Sequence, residues 1–157
     1  MDEEQRLIIR RLFECGALKF GTFQLKSGII SPIYIDLRVI ISQPDLLEDI
    51  CKQFIRVMEK EVQQGYDLIC GVPYTALTLA TGISTLAKIP MVMRRKEAKQ
   101  YGTKQIIEGI YRAGQRVLVI EDLISSGASI LETVLALEAS GLSVTEAIVF
   151  IDRQQTG

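Results

Sequence analysis

Histidine is absent from this chain of 157 residues, and only three cysteines occur. The lack of histidine excludes Ser-His and Cys-His nucleophilic systems, and it excludes imidazole metal sites. Any catalysis must therefore rest on lysine, arginine, carboxylates, the backbone or an added metal ion. Cys15, Cys51 and Cys70 are odd in number and have no Cys-x-x-Cys spacing, which argues against a disulfide framework and a zinc site. We expect them to be reduced core residues.

Neither sign of charge is in excess, because 18 basic residues stand against 19 acidic ones. This balance predicts no general affinity for nucleic acid or for anionic membranes. The apolar runs are short, and the chain begins Met-Asp-Glu-Glu-Gln-Arg, so neither a membrane span nor a signal peptide is predicted. We expect one cytoplasmic domain over residues 1–157, with a hydrophobic share of 48% to fill its core.

Strand and helix patterns alternate along the chain, which is typical of a parallel sheet covered by helices on both faces. Apolar residues recur at helical spacing in the predicted helices, whereas the predicted strands are short apolar runs. The predicted helices cover residues 2–15, 42–61, 75–88 and 127–140. The predicted strands cover residues 67–71, 89–93, 116–120 and 145–151.

The stretch Val117–Ser129 joins an apolar strand to two carboxylates and then to a small, hydroxyl-rich turn that opens a helix. Unpaired N–H groups and the helix dipole would favour a phosphate at Ser125–Ser129. Glu121 and Asp122 suit ribose hydroxyls or a metal ion, so the indicated ligand is a phosphorylated sugar. The stretch has neither the Gly-Lys-Ser/Thr of a Walker loop nor Gly-x-Gly-x-x-Gly. An ordinary helix cap is the alternative, since Asp, Ser and Gly are common in such turns.

The segment Arg94–Gly114 interrupts the alternation, because it is long, charged and without apolar periodicity between two strong strands. Segments of this kind are usually functional or disordered. Because the carboxyl ends of parallel strands meet at one edge of a sheet, this segment should lie near the phosphate turn. It is therefore predicted to form a lid over a polyanion, with a solvated surface hairpin as the alternative. Its positive charge is concentrated at Arg94, Arg95, Lys96, Lys99 and Lys104.

The stretch Val117–Ser129 resembles the phosphoribosyl pyrophosphate (PRPP) signature of type I phosphoribosyltransferases. Three further segments resemble orotate phosphoribosyltransferase in particular. They are Phe20–Gly28 with Ser31–Asp36, the loop Arg95–Lys99, and Asp152–Gln154. The resemblance implies an α/β fold with a twisted, mainly parallel sheet, helices on both faces and a small N-terminal hood. It also implies transfer of the phosphoribosyl group of PRPP to orotate, with Mg²⁺ held mainly by the PRPP diphosphate and not directly by protein ligands.

The same resemblance assigns roles to individual residues. Lys99, Glu121 and Asp122 are expected to be catalytic, and Lys99 is expected to reach the neighbouring subunit's site in a homodimer. The expected PRPP-binding residues are Lys26, Tyr74, Thr75, Arg95, Lys96, Lys99, Tyr101, Glu121, Asp122, Leu123, Ile124, Ser125, Ser126, Gly127, Ala128 and Ser129. The expected orotate-binding residues are Lys26, Tyr34, Ile35, Ser125 and Arg153. Two of these have plainer alternatives, since Lys26 can be an exposed turn lysine and Arg153 can pair with Asp152.

Two positions depart from many bacterial members of the resembled family. Thr75 and Tyr101 stand where those members have Lys and His. Both residues resemble the orotate phosphoribosyltransferase half of eukaryotic UMP synthase, which implies fusion to an orotidine 5′-monophosphate decarboxylase domain. The chain is also expected to lack the helix and strand that follow Asp152–Gln154 in family members. The alternative functions are a phosphoribosyltransferase for another base and a PRPP-sensing regulator, which a broad basic face would distinguish.

Overall fold

The computed structural model describes residues 2–24, 28, 30–97 and 105–154. The chain forms two compact units, residues 1–50 and residues 51–157, and α2 (Pro44–Glu61) contributes residues to both. Among the described residues, no helix has the length and apolar character needed to cross a bilayer.

The N-terminal unit is a helix followed by a β-hairpin and a short 3₁₀ helix. Helix α1 (Glu3–Glu14) begins at a reciprocal capping box between Asp2 and Gln5, and it buries Ile8 and Leu12 on one face. The chain then turns at Gly16, whose φ of 77° suits glycine. Strands β1 (Leu18–Gln24) and β2 (Ile30–Ile35) pair antiparallel. The 3₁₀ helix (Leu37–Ser42) follows and buries Leu37 and Ile40.

The C-terminal unit contains a five-stranded sheet in the order β5-β4-β3-β6-β7. Four strands are parallel, and β5 runs antiparallel to β4 at one edge. The strands are β3 (Leu68–Gly71), β4 (Met91–Arg94), β5 (Ile107–Glu108), β6 (Arg116–Ile124) and β7 (Ser143–Asp152). The connecting helices are α3 (Thr75–Ala87) and α4 (Ala128–Ala139). This architecture confirms the predicted α/β class with a mainly parallel sheet.

The core lies on both faces of the two central strands. Every residue of β3 is buried, and so are residues 117–120 of β6. Val117 and Val119 pack in one cluster with Leu137 of α4. Because successive side chains of a strand alternate between faces, Leu118 and Ile120 point to the other face, where they are also buried. Cys51 and Cys70 are buried core residues as predicted, whereas Cys15 is only half-buried, and all three are free thiols.

Two glycines allow α3 to approach its neighbours closely. A Cβ atom at Gly71 would lie 2.3 Å from the carbonyl oxygen of Ala76, and one at Gly82 would lie 2.5 Å from Sγ of Cys51. Both distances are too short for real atoms, and at Gly71 the close atom belongs to the backbone and cannot turn aside, so Gly71 requires glycine for space. The close approach holds the start of α3 against the end of β3.

Several boundaries differ from those predicted. β6 continues past Ile120 to Ile124, so the two carboxylates lie within the strand and not after it. The segment Arg94–Gly114 is not a lid throughout, because Arg94 ends β4 and Ile107 is fully buried in β5. A two-residue strand with one buried side chain gives no periodicity to detect. The 3₁₀ helix and the hairpin β1–β2 were likewise not assigned from the sequence.

Candidate active site

An open cleft of about 120 Å³ lies where β6 gives way to α4. Its walls come from one continuous stretch of chain, which is the stretch predicted to bind a phosphorylated sugar. The lining residues are Glu121, Leu123, Ile124, Ser125, Ser126, Gly127, Ala128 and Ser129. Since β6 is parallel to its neighbours, the cleft is at the carboxyl edge of the sheet, where open α/β sheets bind ligands.

The entry into α4 leaves backbone donors directed at the cleft. The residue before the helix is Gly127, in the left-handed region with φ 76°. Because glycine has no side chain, it cannot cap the helix N–H groups as Ser or Asp would. The first N–H groups of a helix have no intrahelical acceptors, and the helix dipole adds partial positive charge there. The N–H of Ala128 meets Ser126 Oγ only at 3.5 Å. This turn is therefore suited to an anion such as a phosphate.

Glu121 supplies an acidic group at the inner wall of the cleft. It is only 5% exposed, and its Oε1 accepts the N–H of Asp122 at 3.1 Å. Burial, with a smaller contribution from the neighbouring Asp122, raises the pKa of Glu121 to about 8. In the ligand-free site at neutral pH, Glu121 is therefore mostly a neutral carboxyl group, which can both donate and accept a hydrogen bond. A pair of ribose hydroxyls suits such a group.

Asp122 is placed differently from Glu121. The two are consecutive in β6, and the Asp122 side chain lies close enough to contribute to the raised pKa of Glu121. Asp122 is half-buried and is not among the residues that line the cleft. The predicted catalytic role of Asp122 stays a prediction.

A second group of predicted PRPP-binding residues meets at the turn between β3 and α3. Tyr74 precedes α3 and is 67% exposed, and Thr75 is the first residue of that helix. The ammonium group of Lys96 lies 4.6 Å from the centroid of the Tyr74 ring, a distance typical of a cation–π contact. Arg95 instead pairs with Glu108 of β5, at 3.4 Å between Nη1 and Oε1.

The residues expected to bind orotate lie in both units. In the C-terminal unit, the N–H of Arg153 donates to the carbonyl of Ile124 at 3.1 Å, so the backbone at Arg153 is joined to the end of β6. In the N-terminal unit, Tyr34 stacks on Phe23 with 5.4 Å between ring centroids. Ile35 follows it on β2 and projects to the opposite face of the hairpin. Lys26, Lys99 and Tyr101 lie outside the described residues.

One contact behind the cleft was not predicted from the sequence. Arg94 Nη1 donates to Thr133 Oγ1 at 3.2 Å, and Thr133 Oγ1 donates to the carbonyl of Ser129 at 2.9 Å. Thr133 is fully buried in α4. The only sequence signal for this contact is the spacing of four residues between Ser129 and Thr133, which lets a helical threonine bond back to the preceding turn.

Comparison with known proteins gives one consistent result. Residues 41–157 match the family model described as "Phosphoribosyl transferase domain". The chain is 48% identical over 150 residues to uridine 5′-monophosphate synthase of Bos taurus, covering 96% of this chain and 31% of that protein. It is 47% identical over 146 residues to orotate phosphoribosyltransferase of Chlamydia pneumoniae, covering 92% of this chain and 68% of that protein.

Comparison with solved structures agrees with the sequence comparisons. UMP synthase of Leishmania donovani superposes with a TM-score of 0.84 at 36% identity, covering 95% of this chain and 32% of that one. The chain thus spans about a third of the length of the synthases it matches.

Proposed function

This chain belongs to the orotate phosphoribosyltransferase family and has its type I phosphoribosyltransferase fold, and we propose that it transfers the phosphoribosyl group of PRPP to orotate. The products would be orotidine 5′-monophosphate and pyrophosphate, in the biosynthesis of UMP. The observation that carries the proposal is the cleft between β6 and α4, where helix N–H groups and one buried acid line the same small space. That combination fits a sugar that carries a phosphate at one end and hydroxyls in the middle.

Different parts of the cleft would contact different parts of the PRPP molecule. The first turn of α4 would hold the 5′-phosphate through backbone N–H groups and the hydroxyls of Ser126 and Ser129. Glu121 would then meet the ribose hydroxyls from the inner wall. Because positive charge develops on the ribose when the diphosphate leaves, the ionised form of Glu121 would become more favourable during the reaction. Glu121 does not need to transfer a proton to the reacting carbon.

The leaving diphosphate needs cations, and Lys96, which follows β4, lies beside the turn after β3. Lys96 is held over Tyr74 at the carboxyl edge of the sheet, and Arg95 and Lys99 would add further positive charge. Within residues 2–24, 28, 30–97 and 105–154, no three Cys, Asp or Glu side chains form a metal-binding group. Mg²⁺ commonly binds through substrate phosphates with few protein ligands. We propose that Mg²⁺, when bound, would be held mainly by the diphosphate and would supply positive charge there in addition to that of Lys96, Arg95 and Lys99.

Orotate is a planar anion, so its site should combine a cation with flat or apolar walls. We propose that Arg153 grips the orotate carboxylate through two parallel hydrogen bonds, since a guanidinium matches a carboxylate in geometry. Its backbone is tied to the end of β6 beside the cleft. Lys26, Tyr34, Ile35 and Ser125 are proposed as the other contacts to the base.

A spectrophotometric assay of orotate consumption with PRPP and Mg²⁺ tests the proposal directly. Uracil, hypoxanthine and adenine, offered in place of orotate, would reveal a transferase for another base. The Arg153→Ala variant should lose most turnover with orotate, because removing one partner of a buried charged contact costs roughly 2–5 kcal/mol. Arg112→Ala is the matched control, since Arg112 is exposed in the turn before β6. Orotate kinetics that are the same in both variants would contradict the assignment of Arg153.

Assembly and context are proposed on the same basis. We propose a cytoplasmic homodimer in which Lys99 acts in the neighbouring subunit's site. The matches to UMP synthases further support fusion to an orotidine 5′-monophosphate decarboxylase domain in the full-length protein. Differently tagged Lys99→Ala and Ser126→Asp variants, purified as a heterodimer, would combine an intact cleft with an intact lysine at one site. Activity no higher than that of either parent would rule out action of Lys99 in trans.

A further inference from the structure

We propose that Arg94, at the start of the basic segment Arg94–Gly114, is a positioning residue that holds the first turn of α4 in place. That turn forms the wall of the cleft proposed to bind the phosphate. This inference rests on the proposed function of the cleft. Arg94 itself faces away from solvent and is not among the cleft-lining residues. Its effect would pass through Thr133 and Ser129.

The contacts form a continuous chain from the sheet to the cleft. Arg94 is the last residue of β4, and its guanidinium donates through Nη1 to Thr133 Oγ1 at 3.2 Å. That hydroxyl donates in turn to the carbonyl of Ser129 at 2.9 Å. Ser129 lies in the first turn of α4 and lines the cleft. The hydroxyl of Thr133 thus accepts a hydrogen bond from Arg94 and donates its one proton to the carbonyl of Ser129, so the three groups are linked in this order.

The burial of Arg94 argues against a purely stabilising role. Its side chain is only 10% exposed, and its Nε atom has no hydrogen-bond partner among the described residues. Its carboxylate partner, Glu132, lies at 3.3 Å on the exposed side of α4, where ion pairs contribute little. A buried guanidinium with an unpaired N–H is costly, and an apolar side chain would often stabilise the fold equally well. The contact to Thr133 gives this charge a role.

The backbone of Arg94 occupies an equally specific place. Arg94 pairs with Ile107 of β5, and the N–H of the next residue, Arg95, donates to the carbonyl of Ile106 at 2.8 Å. Lys96 follows immediately and lies over Tyr74. Arg94 therefore contacts β5 through its backbone and the first turn of α4, through Thr133, by its side chain. Loss of the side chain should loosen the phosphate turn while the pairing of β4 with β5 remains.

Two substitutions test the chain of contacts at separate links. Arg94→Met keeps much of the side-chain volume without the guanidinium, and Thr133→Val keeps the shape of threonine without its hydroxyl. Each should raise the KM for PRPP about tenfold and change kcat less, an effect of the size found for residues that act on a site through packed neighbours. The double variant should be no worse than the more damaged single variant, because both changes break one chain.

Arg116→Met is the matched control. Arg116 also lies in a strand of this sheet and pairs with a carboxylate, Asp67, at 3.4 Å, but it stands at the opposite end of β6 from the cleft. Its loss should lower the thermal midpoint without changing the KM for PRPP. If Arg94→Met behaves in the same way, with lower stability and unchanged PRPP kinetics, the residue is structural and the proposal is overturned.

Calorimetric binding of inorganic phosphate separates this inference from the proposed function. If the wild-type chain binds phosphate but does not consume orotate, the proposed function fails, while tenfold weaker phosphate binding by Arg94→Met still supports the positioning role. If the wild-type chain is active and both variants bind phosphate and PRPP normally, only the positioning role fails. Should Arg94→Met not fold, Thr133→Val decides by the same readouts, since it leaves the arginine in place.

Discussion

The two turns that lead from a parallel strand into a helix at the carboxyl edge of the sheet are built in opposite ways. After β3, the chain enters α3 with no room to spare, because a Cβ atom at Gly71 would collide with the carbonyl of Ala76. The N–H of Val72 is also used, donating to the carbonyl of Ile120 at 2.9 Å. After β6, the chain enters α4 around an open cleft of about 120 Å³. One turn is closed and the other is open.

This difference shows how a repeated unit acquires two functions. In the closed turn, Gly71 packs against α3 and the N–H of Val72 is bonded to β6, while the side chain of Tyr74 is exposed. The open turn offers its helix N–H groups and one buried acid. A molecule with two anionic ends needs both kinds of contact at neighbouring strand ends, and β3 and β6 are adjacent in the sheet. The tight packing at the closed turn thus holds β3 against α3, next to the strand that carries the cleft.

Filling the closed turn should have the largest effect. Gly71→Ala places a Cβ atom 2.3 Å from a backbone oxygen, which cannot move aside as a flexible side chain can. We expect the free energy of unfolding to fall by about 3 kcal/mol or more, at the upper end for overpacking. Urea unfolding followed by circular dichroism measures this change.

Gly114→Ala provides the control for that substitution. Nothing lies within 4 Å of a Cβ atom at Gly114, but the φ of 82° strains any residue with a side chain. Its cost should therefore be about 1–2 kcal/mol, from backbone strain alone. If Gly71→Ala costs no more than Gly114→Ala, the turn after β3 is not sterically closed, and the contrast between the two turns is lost.

Adding charge to the open turn should abolish its ability to bind an anion. Ser126→Asp places a carboxylate in the cleft wall, where it would repel the 5′-phosphate. Like charges at a binding site cost several kcal/mol, so the KM for PRPP should rise by roughly 100-fold or more. Because Ser126 is exposed, stability should change little. The control is Ser143→Asp, at the exposed start of β7, which should leave PRPP kinetics unchanged. Equal kinetics in both variants would mean that the cleft does not hold the phosphate.

The buried acid of the open turn gives a prediction for pH. The pKa of Glu121 is raised from 4.5 to about 8 in the folded chain, mainly by burial. Between these values the folded chain holds a proton that the unfolded chain has lost, so the contribution of this group to stability is full below about pH 4.5 and is lost as pH rises toward 8. Glu121→Gln removes the titration while keeping the shape.

The Glu121→Gln variant should therefore be more stable than the wild type, and increasingly so from pH 5 to pH 8. One pKa unit corresponds to about 1.4 kcal/mol, so we expect a difference on the order of a few kcal/mol at pH 8. Unfolding curves of both proteins across this range isolate Glu121, because all other groups are common to them. Parallel stability profiles would show that Glu121 is ionised in the folded chain.

The contrast between the turns was only partly predictable from the sequence. The strand, the acids and the small residues of Val117–Ser129 predicted where the strand gives way to a helix, and the structure has a cleft there, because helix starts follow from local composition. Anion binding at this cleft stays a prediction. The burial of Glu121 was not predictable. It depends on β6 continuing four residues past Ile120 between its neighbours, which is set by strand pairing and not by local pattern.

The segment Arg94–Gly114 shows another limit of prediction from the sequence. Charge and length marked Arg94–Gly114 as functional, but they concealed the buried Ile107 and the antiparallel pairing of β5. A single inward-facing residue carries no period, so only the tertiary structure reveals it. The orientation of Arg94 toward α4 was concealed for a similar reason. A basic residue inside a basic segment is expected to face solvent, and the hydroxyl that accepts its hydrogen bond lies 39 positions away.

The smallest expected effect concerns the side chain through which the closed turn acts. If the ring of Tyr74 positions Lys96 for the diphosphate, Tyr74→Leu should raise the KM for PRPP about two- to fivefold, because an exposed cation–π contact is worth roughly 0.5–1 kcal/mol. Tyr74→Phe is the matched control, since it keeps the ring and loses only the hydroxyl, and it should retain wild-type kinetics. Steady-state measurements with varied PRPP at saturating orotate distinguish the two variants. A loss shared equally by both would assign the effect to the hydroxyl, and no loss in either would leave the closed turn with a purely structural task.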